Sequence, residues 1–147
     1  MIKKIELFDA KNRAWRQLKT KGDRHPGLSA VACASFENYL YAYGGLDGNV
    51  LHGVLSQLDL KTLTWLQLSP KTAAGPMRKD ASGMVHFDGD KLAVVCGYAY
   101  PNKPGEPSGG SSDRGSKFIP RNGIPDDGSG WTNEMHIFHL ENSKMIS

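Results

Sequence analysis

The side chains best suited to chemistry are few, and their settings work against them. His136-x-x-His139 has a spacing that could pair imidazoles on a metal. The stretch around it, MHIFHL, reads as a strand, and residues three apart on a strand point to opposite faces. Gly110-x4-Gly115 approaches a phosphate-binding loop, but Ser116 precedes Lys117 and FIP follows. A phosphate loop needs Gly-Lys-Ser/Thr opening a helix. Cys33 and Cys96 form no Cys-x-x-Cys and fall in strand-like stretches, so they read as buried, inert thiols. His86 also sits in a strand-like stretch and reads as packed or hydrogen-bonded. Asp126-Asp127-Gly128 reads as a turn. No serine elbow, carboxylate pair or dinucleotide fingerprint is present. The expectation is no catalytic residue, no cofactor and no metal.

The elements that would carry any other function are bounded by composition. The chain has 147 residues, 39% hydrophobic and 22% charged, the length of one average domain. No apolar run approaches the roughly 20 residues of a membrane helix. The opening MIKKIELFDA lacks the apolar core of a secretory signal, so no membrane partner is expected. Net charge is +3 with basic and acidic residues interspersed, which gives no nucleic-acid footprint. Two cysteines and no Asn-x-Ser/Thr site fit a reducing compartment, so the cytoplasm or nucleus is expected.

The chain repeats itself. FDAKNRAWRQL (8–18) lies over LDLKTLTWLQL (58–68) at an offset of 50, matching Asp9/Asp59, Lys11/Lys61, Trp15/Trp65, Gln17/Gln67 and Leu18/Leu68. Pro26/Pro76 keep that offset, Phe36/Phe87 stand 51 apart and Leu40/Leu92 52 apart. The unit reads as four strands: LSAVACASF, YLYAYGG, VLSQLDL and TWLQL. The last two alternate apolar and polar residues, the mark of a half-buried strand. ASGMVHF, KLAVVCGY and MHIFHL repeat the order, with DGD as a hairpin signal. Short strands repeating at about 50 residues are the pattern of propeller blades. The expected fold is all-β. Residues 2–18 form half a blade, 22–70 a full blade, and 75–147 a last blade with a long loop at 98–130.

LYAYGG with Trp65 twenty residues beyond Gly45 resembles the kelch repeat, and the half unit keeps Trp15. The last unit departs from that pattern. It has Cys96-Gly97 in place of the glycine pair and Met145 in place of the tryptophan. The resemblance implies a partial kelch-type propeller over 1–147. It also implies that Gly44, Gly45, Gly97, Trp15 and Trp65 are structural, the glycines letting the backbone bend close beside the indole.

The loop at 98–130 holds 33 residues, seventeen of them Gly, Pro or Ser. Loops this long are binding elements or solvated insertions. As a binding loop, its anchors are Tyr98, Tyr100, Phe118 and Ile119, with Lys117 and Arg121 beside them. Strand direction places it on one face with LDGNVLHG and the connections between units, which bring Arg24, His25, His52, Arg78 and Lys79. The resemblance makes this face a site for protein or peptide ligands. An acidic peptide or a C-terminal carboxylate would suit a basic pocket. Surface charge on solvated loops is the competing reading.

The expected function is therefore a non-catalytic protein-interaction module, with a ubiquitin-ligase adaptor implied by the resemblance alone. An enzyme of propeller type is the alternative, although no set of Tyr, His and Cys here maps onto a copper-oxidase site. A truncated product without independent function is another. Uncovered blade faces and unpaired edges predict further blades or self-association, and the stop at KMIS reads as a piece of a longer protein.

Overall fold

A computed structural model of the chain describes residues 5–27, 29–48, 50–68, 78–100, 111–113 and 130–140. The described residues form strands and turns, with no helix among them. The half unit is the hairpin β1 (Ile5–Asp9) and β2 (Ala14–Leu18). The full unit follows as β3 (Lys21–Gly22), β4 (Ala32–Phe36), β5 (Tyr39–Tyr43), β6 (Leu46–Asp47), β7 (Val50–His52), β8 (Leu55–Asp59) and β9 (Thr64–Gln67). The last unit supplies β10 (Arg78–Asp80), β11 (Gly83–Phe87), β12 (Lys91–Val95), β13 (Tyr98–Tyr100), β14 (Ser111–Asp113), β15 (Gly130–Trp131) and β16 (Met135–His139).

The first blade is the sheet β3-β9-β8-β5-β4, and the second is β11-β12-β16. All their pairings are antiparallel except β3 on β9, which is parallel through Lys21↔Thr64 and Gly22↔Trp65. The fold is thus all-β and consistent with part of a kelch-type propeller, with its sheets not closed into a ring. Ser69–Met77, Leu28 and Glu141–Ser147 lie outside the described residues, and with them any fourth strand of the last blade and Met145.

The repeat is written in the backbone as well as in the sequence. Five positions take left-handed φ in both copies: Arg13/Leu63, Ala30/Ala81, Glu37/Asp88, Gly44/Cys96 and Gly45/Gly97. The matched aspartates explain the turns. Asp9 Oδ1 accepts from the N–H of Lys11 and Asn12 at 3.1 and 3.0 Å. Asp59 Oδ1 accepts from Lys61 and Thr62 at 2.7 and 3.1 Å. These bonds hold both carboxyls below their ordinary range.

Alternation sorts each blade into two apolar faces. Tyr41, Tyr43 and Leu55 of the first blade meet Leu92, Val94 and Leu140 of the second, flanked by Phe36, Met84 and Phe138. Phe36 and His86 stack across the same seam, with centroids 3.9 Å apart and planes at 12°. The other face of the first blade carries Ala42, Leu58 and Trp65, covered in part by Ile5 of the half unit. The far face of the second blade leaves Val85, Met135 and Ile137 between 45% and 61% exposed.

Two thiols correct the sequence reading, because both Cys33 and Cys96 are exposed. Cys33 lies on an outward position of β4, and Cys96 falls just past β12, where the strand ends. Cys96 holds the left-handed φ, +56°, of the missing first glycine.

Candidate functional site

The face opposite the hairpin turns is built from strand ends that run past the two blades. In the first blade Ser29 bridges Leu46, and β6 pairs with β7. In the second the same row is β10-β13-β15. Two hydrogen-bond pairs put the rows in register. Gly44 N–H donates to Val54 O, as Cys96 N–H donates to Glu134 O; His52 N–H donates to Gly45 O, as Thr132 N–H donates to Gly97 O. The insertion therefore adds its residues between β13 and β15 without disturbing either strand.

The glycine pair has a close neighbour, but it is not the indole. A Cβ on Gly44 would lie 2.2 Å from Lys79 O, and one on Gly45 would lie 2.6 Å from Val31 Cγ2 and 2.8 Å from Ser29 O. Gly45 N–H donates to Lys79 O at 3.0 Å. The glycines thus admit the strand that leads into the next blade, whereas Trp65 packs on Ala42 and Leu58. At Gly97 the same crowding comes from Ser82 Oγ at 2.4 Å and Asp80 O at 2.7 Å. Trp15 and Trp65 hold equivalent places but differ in cover, 69% against 7% exposed. Trp15 rests against Phe8, ring to ring at 5.1 Å.

Most of the basic side chains expected on this face are interior. His25, His52, Arg78 and Lys79 are all buried, Arg78 and Lys79 almost completely, and only Arg24 is exposed. They do not form an open basic pocket. The reason is positional: Arg78 and Lys79 lie in β10, which is sandwiched between the glycine pair and β13. Lys79 Nζ lies 3.4 Å from Glu134 Oε2, and His136 Nε2 lies 3.3 Å from that same oxygen. Partial desolvation raises the Glu134 carboxyl, but the bonds from His136 and Lys79 outweigh it and hold the group below its ordinary value. Burial, with Glu134 nearby, drives the Tyr43 phenol well above its ordinary range.

His25 is a latch. Its Nε2 lies 2.8 Å from Gly44 O and its Nδ1 2.9 Å from Ser56 Oγ. A carbonyl only accepts, so Nε2 carries the proton and Nδ1 accepts from the serine hydroxyl. Burial lowers the His25 pKa despite the bond to Gly44, and His52 lowers it further. Burial lowers His52 as well, against the pull of Asp47. The Ser56–His25 contact has the form of a nucleophile and base. Ser56 is fully buried, however, and the third member is a carbonyl rather than a carboxylate. The arrangement locks the glycine turn and offers no substrate a reacting hydroxyl.

The face also carries an aromatic pair, a half-buried Tyr98 and an exposed Trp131. Tyr98 and Trp131 are paired across β13 and β15 and meet edge to face, 5.6 Å apart at 89°. Trp131 is 76% exposed. Tyr100 stands opposite Arg78 on β13. Lys117, Phe118 and Arg121 lie outside the described residues. Trp131 escaped the sequence reading because it follows the Gly/Ser-rich run GSG and belongs to no strand-like stretch. His136 and His139 occupy opposite faces of β16, and among the described residues no group of three His, Cys, Asp or Glu could hold a metal.

Comparison with known proteins agrees with this architecture. Residues 27–72 match the kelch motif. The chain is 27% identical over 94 residues to Kelch domain-containing protein 10 of Rattus norvegicus, covering 63% of this chain and 23% of that protein. It is 29% identical over 94 residues to the Xenopus tropicalis protein of that name, again 63% of this chain and 23% of the relative. The Homo sapiens protein is 29% identical over 80 residues, 52% of this chain and 18% of the relative. The chain therefore spans about a fifth of the length of the curated relatives it matches. Repeated strands, a glycine turn that admits the next blade's leading strand, and a motif match on that unit mark residues 27–72 as a kelch repeat.

Proposed function

We propose that the chain is a non-catalytic protein-interaction module that binds a protein or peptide on its loop face. The observation that carries this reading is the Tyr98–Trp131 pair, an aromatic anchor presented on paired strands at the end of the blade. Exposed Trp and Tyr held rigidly are the side chains that dominate protein recognition. The kelch match supports the same role, since repeats of this kind serve protein contacts. A ubiquitin-ligase adaptor or scaffold role extends the proposal to the partner's fate, and it rests on resemblance alone. The cytoplasm or nucleus is the proposed location, supported by two free, exposed thiols.

The test is selection from a displayed random-peptide library on the purified chain, with Trp131→Ala as counter-screen. Selected peptides should lose at least tenfold in affinity on Trp131→Ala. Peptides that bind both proteins equally would sink the reading.

A further inference from the structure

We propose that the outer edge of β7 accepts an extended acidic peptide strand in trans, and that Ser111–Asp113 of the insertion fills that edge in cis. The proposal rests on the reading of the loop face as a binding face and names one place on it.

The two rows of strand ends supply the argument. Ser29, β6 and β7 correspond to β10, β13 and β15, so each unit by itself makes a row of three. The first row has a fourth member. β14 pairs antiparallel with β7 through Ser111↔His52, Ser112↔Leu51 and Asp113↔Val50. That strand belongs to the other blade's insertion and is an addition at an edge. The receiving side is well made: Leu51 is fully buried and His52 nearly so. The added strand is three residues of Ser, Ser and Asp, preceded by Gly109-Gly110 and followed by Arg114-Gly115, a composition with low strand preference. A firm edge holding a poor strand suits exchange with a better one.

The backbone gives the register. His52 N–H donates to Gly45 O on the β6 side. Alternation then turns the N–H and C=O of Leu51 toward Ser112, which makes them the hydrogen-bonded pair. The chemistry of the occupant follows from His52. Its Nε2 is buried without a hydrogen-bond partner among the described residues, so an acidic residue opposite His52 would supply one.

The experiment uses the 147-residue chain, uniformly labelled with nitrogen-15, and three nine-residue peptides. One is SGGSSDRGS, the sequence of residues 108–116. The second replaces its first central serine by aspartate. The third carries an N-methyl group on the residue equivalent to Ser112. Titration of the first two should shift the Leu51 amide, the aspartate peptide binding more tightly. The methylated peptide should leave Leu51 unmoved. Ser112→Pro, which removes the competing N–H, should lower the peptide concentration needed at least tenfold. Should that variant lose its folded spectrum, the wild-type titration decides, since it needs no substitution. Equal binding of the methylated peptide overturns the strand edge, as does an unshifted Leu51 amide. Shifts around Tyr98 and Trp131 without Leu51 would overturn the edge while leaving the binding face intact.

Discussion

The N–H of Ala81 donates to the carbonyl of Ala30 at 3.0 Å, and the two alanines hold the same place in successive units. Both take left-handed φ, 52° and 50°. The repeat is therefore joined to itself at its own equivalent residues, just before the first strand of each blade. The strain is local and recurrent. It follows from the sharp entry into β4 and β11, so changes at repeated positions give paired tests.

Cys96 carries the left-handed conformation that Gly44 carries in the first unit. A non-glycine residue there costs about 1 kcal/mol, partly offset because glycine is freer in the unfolded chain. Cys96→Gly should leave stability unchanged or raise it by up to about 1 kcal/mol, a few degrees in Tm for a chain of this length. Cys96→Val should lower it by at least about 1 kcal/mol, because branching at Cβ resists that φ. Thermal melts of the two variants check the sign of each.

Gly44 and Gly48 separate crowding from backbone conformation. Both have positive φ, 70° and 60°, but a Cβ on Gly44 would stand 2.2 Å from Lys79 O while Gly48 faces open space. Gly48→Ala should cost about 1 kcal/mol. Gly44→Ala should cost more than about 3 kcal/mol, because the strand leading into the next blade must also move. Urea unfolding of the pair gives the difference directly.

The strand order was legible in the residues because period-two alternation and the Trp-bearing strand recur at one offset. The turn aspartates were legible too, since Asp9 and Asp59 cap their turns through local bonds. The fate of Arg78 and Lys79 was not. Charged residues after a proline read as solvated, and only the non-local seat of β10 between the glycine pair and β13 buries them. The ribbons of two or three residues, β6, β7, β14 and β15, were likewise invisible, being too short to carry a period. The partner of Gly44 could not be read either, because it lies in the next unit.

His25 and His52 give the fold a dependence on mild acid. Burial holds both below their ordinary pKa of 6.5. Between 6.5 and those lower values the unfolded chain binds more protons than the folded one, so stability rises with pH. Stability should be fully present above about pH 7 and fall as pH drops through 6.5. The urea midpoint measured from pH 7.5 to 5 should show that slope. His25→Gln and His52→Gln should each flatten it, and an unchanged slope in both would refute the assignment.

Lys79 is buried with a partly exposed partner, Glu134, at 3.4 Å. Lys79→Met keeps the packed stem and removes the charge, whereas Lys79→Ala also opens a cavity. Methionine should cost less than about 1.5 kcal/mol and alanine roughly 2–4 kcal/mol. Near-equal losses would show that the ion pair, rather than the packed stem, dominates at this position.

β10, the strand that leads into the second blade, also governs how the chain comes apart. Repeat arrays divide their stability between what each unit holds alone and what it shares with its neighbour. Here the shared part gathers the Phe36–His86 stack, the Ala81–Ala30 bond, the seat of Lys79 on the glycine pair and the β14–β7 ribbon. Those four ties add to the apolar core that the two blades share through Tyr41, Tyr43, Leu55, Leu92, Val94 and Leu140, so each unit leans heavily on the other. Pulled or heated, the two should let go together, as a single cooperative block rather than as beads released one by one.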